Sequence, residues 1–343
     1  MIWPWKKKKK RWPYVVASLI LFLTAIRLYL PYGLKNYLEH IVNKELPRHQ
    51  FEIGDLSLSL LKTDYQLEDV RLYRSKRKKT SPLMIVKTFK VDVHPFTMLS
   101  DVLLEGVKLE FQHDEKSFGK FGSNKSSNKG WFETIRVVTL GHLQNLIIKN
   151  SSVHYRGENP KEEHFYLTKF NVKGEHLYQT RKEDNFKLSG RFMGASNLEV
   201  WGKVNVQQKD PEIDLRAKFE KYPLKKINFF FQDYAHYKIT KGEVEAYSEI
   251  HVKNKKLTAY LKPFVTDLKG EEMKGEESKK FNEGFQTTLK ILSSRFLKND
   301  KTESVGTLIP IEANPRKVNV DFSKALKIGI EHAFGEPIKK GFE

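Results

Sequence analysis

At 343 residues, with 39% hydrophobic and 30% charged positions, the chain can hold one large or two small domains beyond a membrane segment. It contains no cysteine, which excludes disulfides, thiolate metal sites and a cysteine nucleophile. The net charge is +19, of which six cations fall in residues 6–11, leaving +13 (19 − 6) on a body that suits anionic partners.

The first element is a basic tail followed by an apolar run. Lys6 to Lys10 and Arg11 stop abruptly at Trp12, and a hydrophobic stretch runs from Tyr14 through Leu19 and Phe22 to Ile26, with Arg27 and Tyr29 beyond it. Cations on one flank and Trp or Tyr near both ends are the layout of a membrane anchor. Pro13 to Tyr32 is 20 residues, about 30 Å as a helix and the thickness of a hydrocarbon core. Arg27 reaches headgroups along its aliphatic stem. The rival readings are a cleaved signal peptide and a buried core helix. Cleavage wants small residues at −3 and −1, and Leu23-Thr24-Ala25 puts Leu at the first of them. The cation bias predicts N-terminus in and body out, which in a bacterium means a periplasmic body behind an inner-membrane anchor. On that topology nucleic acid lies on the wrong side of the membrane.

Residues 33–47 predict a helix continuing from the anchor, with Leu34, Tyr37, Leu38, Ile41 and Val42 on one face, a kink at Pro31-Tyr32-Gly33 and a stop at Pro47. From Phe51 the period changes to two. Leu56 and Leu58; Val107, Leu109 and Phe111; Val153 and Tyr155; Ile213 and Leu215; and Leu257, Ala259 and Leu261 each alternate with polar neighbours. Such a series predicts half-buried antiparallel strands sharing one apolar face. Two stretches read as loops. One is a basic turn from Arg74 to Pro82, whose Arg74, Lys76, Arg77, Lys78 and Lys79 are either solvated or touch anionic lipid. The other is the Ser/Asn/Gly/Lys-rich segment 116–131.

The densest aromatic run is 227–238. As a strand it would turn Phe229 and Phe231 to one side and Phe230 to the other, serving the core or an acyl chain. Near Lys279 the period returns to helical. Phe281, Phe285, Leu289, Leu292 and Phe296 form a stripe ringed by lysines, which either covers the sheet or lies on a membrane. A strand at 305–314 and a helix at 322–335 close the chain. The expected organisation is a basic tail (1–12), an anchor (13–32), a β-rich body (33–270) and a helix–strand–helix segment packing on the sheet (271–343). The fold class is mainly β (α+β), an elongated and bent antiparallel sheet.

Catalytic constellations are scarce. No nucleophile elbow, zinc-protease motif, P-loop or dinucleotide fingerprint occurs. The eleven histidines are scattered, none three or four apart, and His154 with His164 is the one pair that brackets a hairpin. Carboxylate pairs such as Glu162-Glu163 and Glu271-Glu272 sit among lysines in hydrophilic stretches, unlike a tuned acid/base pair. These readings predict a binding protein without catalytic residues, cofactor or metal.

Several segments together resemble the AsmA-like proteins of Gram-negative envelopes, in the branch long known only as a domain of unknown function. They are 30–46 (LPYGLKNYLEHIVNKEL) with 51–72 (FEIGDLSLSLLKTDYQLEDVRL), 143–177, 218–270 and 307–315 (TLIPIEANP) with the terminal helix. The chain departs from the family pattern at Asn150-Ser151-Ser152, where Gly is usual, at Arg156, where Asp is usual, and at Lys255-Lys256, in place of a turn Gly. The resemblance implies a single-pass inner-membrane protein whose periplasmic sheet of about a dozen and a half strands spans at most ~85 Å. It also implies an apolar groove and a part in phospholipid movement or envelope upkeep, with no catalytic residues to carry over. A non-catalytic scaffold tethering envelope partners is the competing expectation.

Overall fold

The computed structural model describes residues 12–46, 49–59, 63–74, 82–112, 142–156, 165–179, 183–206, 212–235, 237–254, 256–272, 304–314, 317–320 and 338–342. The basic turn 75–81, the segment 116–131 and the helices expected around 281–296 and 322–335 lie outside them.

The chain begins its described part with one helix, α1 (Trp12–Glu45), of 34 residues, about 51 Å long. Anchor and following helix are thus a single element. Pro31 sits inside it. A proline removes one amide donor and so frees the carbonyl four residues back, but the strong helix formers Leu28, Leu30, Leu34 and Lys35 on both sides carry the helix through.

Sixteen strands follow: β1 (His49–Glu52), β2 (Asp55–Ser59), β3 (Asp64–Arg74), β4 (Met84–His94), β5 (Leu99–Glu105), β6 (Lys108–Gln112), β7 (His142–Arg156), β8 (Phe165–Gly174), β9 (Phe186–Phe192), β10 (Ser196–Asn205), β11 (Glu212–Pro223), β12 (Tyr237–Lys253), β13 (Lys256–Glu272), β14 (Ser304–Gly306), β15 (Ile309–Asn314) and β16 (Lys317–Val320). Between β11 and β12 lie a 3-10 turn (Leu224–Ile227) and a short helix, α2 (Asn228–Ala235). The chain is therefore mainly β: one mostly antiparallel sheet with a single long N-terminal apolar helix.

Two pairings depart from the antiparallel expectation. β7 runs parallel to β5 and β6. The cause is in the connection, because β6 and β7 are separated by residues 113–141 instead of a tight turn, and a parallel return needs a crossover of a dozen residues or more. Nor are sixteen strands sixteen positions. β1 and β2 keep one register along β3, β5 and β6 keep one along β4, and β14 and β15 keep one along β13. Each pair is one line of chain interrupted, at Gly54, Gly106 and Thr307. The strand expected at 305–314 is the last of these. Thirteen positions remain among the described residues, about 58 Å across the strands if laid flat and within the upper bound of ~85 Å.

The interruptions in the first six positions fall on one row. By register, Gly54 stands opposite Asp69, Asp69 opposite Lys87, Lys87 opposite Gly106 and Gly106 opposite Asn150. Asn150 then donates its amide N–H to Asn171 Oδ1 of β8 at 3.1 Å, beside the bulge between Thr168 and Asn171. Asp69, Gly106, Asn150 and Lys169 all have left-handed backbone, with φ of 53°, 66°, 49° and 49°. Gly106 is required there, since a Cβ would come within 3.0 Å of Lys87 Cβ. The extra residue shifts the alternation by one in every strand it crosses: Tyr65 and Leu67 but Val70 and Leu72 are buried in β3. Aligned bulges of this kind bend a sheet while keeping its apolar face on one side.

The main core lies where α1 meets this bent part. Leu38 and Val42 of α1 are buried with Phe51, Ile53, Leu56, Tyr65, Leu67, Val70, Leu72, Val86, Val91, Val102 and Val107. Hydrogen bonds fix the helix alongside: Lys35 Nζ donates to Gly54 O (2.8 Å), Ile53 N–H to Glu39 Oε1 (2.7 Å), and Asn43 exchanges two bonds with the Phe51 backbone (2.7 and 3.0 Å).

Candidate functional site

Past the first positions the same apolar face continues across the sheet. Strand register sets Ile148, Val172, Leu188, Val200, Ala217, Ser248, Leu261 and Ile309 opposite one another in successive pairs. A second row runs through Phe186, Gly202, Leu215, Ile250, Ala259, Ile311 and Val320. Apolar side chains appear here every second residue because the period-two pattern of β9 to β13 puts them on one face. Yet Leu188, Val200, Leu215, Ile250, Ala259 and Leu261 are each only half-buried, whereas Leu67 on the same face under α1 has no exposure. Among the described residues, no helix seals the middle of this apolar band as α1 seals its first part.

One end of the band is closed. Leu224, Phe231 and Ile239 are buried with Ile227, Tyr237, Val244, Val265 and Leu268 around them. Phe229 lies against Phe165 (ring centroids 5.2 Å), and Phe192 meets Phe219 (5.4 Å) and Tyr222 (5.2 Å). The aromatic run read as a strand is here a helix, α2: Asn228 Oδ1 accepts from Ile239 N–H at 2.8 Å and fixes its start against β12, and the side chains leave at helical spacing. Phe231 therefore belongs to the core, and Phe229 borders the band.

The opposite face is polar and paired. Arg216–Asp184 (3.2 Å), His251–Asp214 (3.3 Å) and Lys253–Glu212 (3.3 Å) are exposed ion pairs, each worth about 0–1 kcal/mol. In its centre the C-terminal residues 338–342 form a clasp. Phe342 packs edge-on against Trp201 (5.2 Å) and Tyr247 (5.4 Å), Lys340 pairs with Glu245 (3.1 Å), and the buried Lys262 donates to Gly341 O (3.3 Å). Burial alone would raise the Glu245 carboxyl. The hydrogen bonds from Tyr247 and Lys340 and the nearby charges of Lys340 and Lys218 outweigh it and hold Glu245 below its usual range. Tyr247, partly buried and donating to Glu245 at 2.5 Å, is pushed up to about 12. Burial also pushes Tyr65 well above the ordinary phenol range.

The remaining sites divide clearly. Trp12, Tyr14, Leu19, Phe22, Arg27 and Tyr29 are exposed on α1, Ile26 lies in the same helix, and the most apolar window (mean hydropathy 1.8) is 0% buried. A core helix would be covered, so α1 is either a single membrane anchor or a signal sequence. Arg74 ends β3 opposite His49. Lys76, Arg77, Lys78, Lys79, Phe281, Phe285 and Phe296 lie outside the described residues, as does His164. His154 stacks on Tyr166 (5.8 Å) and Glu271 pairs with Lys238 (3.2 Å). Among the described residues no group of three or more His, Asp or Glu side chains could hold a metal ion.

Sequence reasoning found the alternating segments of the band but not their alignment, nor the Trp201–Phe342 clasp. The one-residue slip in alternation, as at Leu67 to Val70, was the available signal for the row of bulges. A sheet protein with one apolar N-terminal helix and a half-open apolar face is what fold and site define. No protein-family model matches the chain, and no curated protein matches it.

Proposed function

We propose that the chain is an AsmA-like, inner-membrane-anchored periplasmic protein that binds phospholipid and helps move it or maintain the envelope. The carrying observation is the half-buried apolar band from Leu188 to Leu261, which crosses several strands of the sheet whose first strands pack against α1, a helix with an exposed apolar stretch of membrane-spanning length. Acyl chains lie along the band and replace water on it; the small side chains of Ala217 and Ala259 leave room for methylenes beside Leu and Ile. A basic body favours anionic headgroups. The cation-rich tail sets the cytoplasmic side. The role is binding and shielding, with no bond made or broken.

Native mass spectrometry of the full chain released from detergent tests this. Phospholipid adducts are expected on the wild type, and a Leu215→Glu/Ile250→Glu variant should lose most of them because two charges on the band repel acyl chains. Equal adducts on both, or none on either, would refute the reading.

A further inference from the structure

The exposed large hydrophobic side chains among the described residues all belong to α1, with two exceptions, Phe96 and Met98. Both sit on the turn that joins β4 to β5 (residues 95–98), where Phe96 is 99% exposed and Met98 53%. The turn is not loose. Thr97 and Met98 donate their N–H groups to His94 O at 3.2 and 2.9 Å, and His142 N–H donates to Met98 O at 2.8 Å. Pro95 fixes the chain direction into it. Single exposed apolar side chains are ordinary on a protein surface; what sets this turn apart is that it is braced, holds a phenyl ring wholly in water and carries a second exposed apolar side chain two residues on.

The direction in which the turn points supplies a reason. Residues 43, 39 and 35 of α1 bond to residues 51, 53 and 54 in that order, so helix and strand run in opposite senses. Moving toward the apolar half of α1 is moving along β2 toward Ser59. Ser59 pairs with Asp64 and Asp64 with Asp92, two residues before the turn at the end of β4. Arg74, by contrast, closes β3 at the far end. From Gly54, β2 continues for five residues, about 17 Å. Tyr32, by comparison, is only ~4.5 Å beyond Lys35 along the helix.

We propose that the β4–β5 turn is a second membrane contact, seating Phe96 and Met98 in the interface of the same bilayer that α1 crosses. The inference rests on reading α1 as a membrane span. Phe and Met enter the headgroup–acyl boundary, the backbone of the turn keeps its own hydrogen bonds there, and two attachments fix the tilt of the sheet over the membrane.

The absence of natural cysteine makes the test direct. Full-length F96C, M98C, F22C and N197C chains are labelled with an environment-sensitive fluorophore in phosphatidylethanolamine/phosphatidylglycerol vesicles carrying nitroxide lipids. Asn197 is an exposed site in β10. A nitroxide near the top of the acyl chain should quench the labels at 96 and 98 at least about twofold more than the label at 197. A deep nitroxide should quench the label at 22. Quenching at 22 with labels at 96 and 98 as bright as at 197 overturns the turn contact and leaves the span standing. Labels at 22, 96 and 98 that all stay as bright as the one at 197 overturn both. Quenching at 96 and 98 without 22 removes the span and thereby overturns a contact with a bilayer that α1 crosses.

Discussion

The part of the apolar face beneath α1 and the part in the middle of the sheet are built from the same alternation and differ in what covers them. Under α1, Leu38 and Val42 close over Leu67, Tyr65 and Val91, and the side chains there are almost fully removed from water. Between β9 and β13 residues of the same types stand on the same face and remain half-buried. One region is sealed by α1; in the other, part of the apolar surface stays in contact with water among the described residues. Burial at about 25 cal/mol per Å² applies only to area removed from water, so the band contributes less to folding than its composition suggests.

Substitutions that cut one region and spare the other break this comparison most sharply. Leu67→Ala should destabilise the protein by about 2–5 kcal/mol, because a side chain without exposure leaves a cavity. Leu215→Ala should cost less, about 2 kcal/mol or below, because part of its surface is already in water. Chemical denaturation followed by circular dichroism compares them, and equal losses would mean that the band is sealed core. Next in size, Phe342→Ala should remove about 1 kcal/mol by breaking the edge-on contacts with Trp201 and Tyr247. Faster proteolysis at the C terminus with an unchanged sheet is the expected sign.

The smallest effects are electrostatic. The Glu245 carboxyl is held below its unfolded value, so its contribution is present above the ordinary carboxylate range and is lost as pH falls through the depressed folded value. Acid should therefore loosen the clasp, read as a rise in C-terminal amide exchange below about pH 4. Tyr247 titrates in the opposite sense. With its folded pKa at about 12, its contribution is intact below about pH 10 and fades as pH rises through the folded value. Ultraviolet titration should show Tyr247 and Tyr65 ionising after the exposed tyrosines, and Glu245→Gln should bring Tyr247 back toward them.

Much of this architecture was legible in the sequence because its signals are local. The cations before Trp12 and the apolar run to Ile26 are read within one helix, and Ile213 with Leu215 or Leu257 with Leu261 within one strand. The row through Gly54, Asp69, Lys87, Gly106 and Asn150 was not, since each member is an ordinary polar or small residue until register aligns them. Phe229 and Phe231 misled for a related reason: alternation over three aromatic residues is too short to separate a strand from the two-turn helix that Asn228 pins to β12. The parallel entry of β7 was hidden by the length of the connection before it. The openness of the band is a matter of what covers it, which alternation does not encode.

The most direct test is to ask where acyl chains touch the protein. Full-length protein in vesicles containing phospholipid with a photoreactive acyl tail would be irradiated, digested and mapped by mass spectrometry. Adducts on Leu188, Val200, Leu215 or Ile250 in addition to those on α1, with Leu67 and Val91 unmodified, are the predicted result. Adducts on α1 alone would contradict the account and leave a sheet that serves as a scaffold.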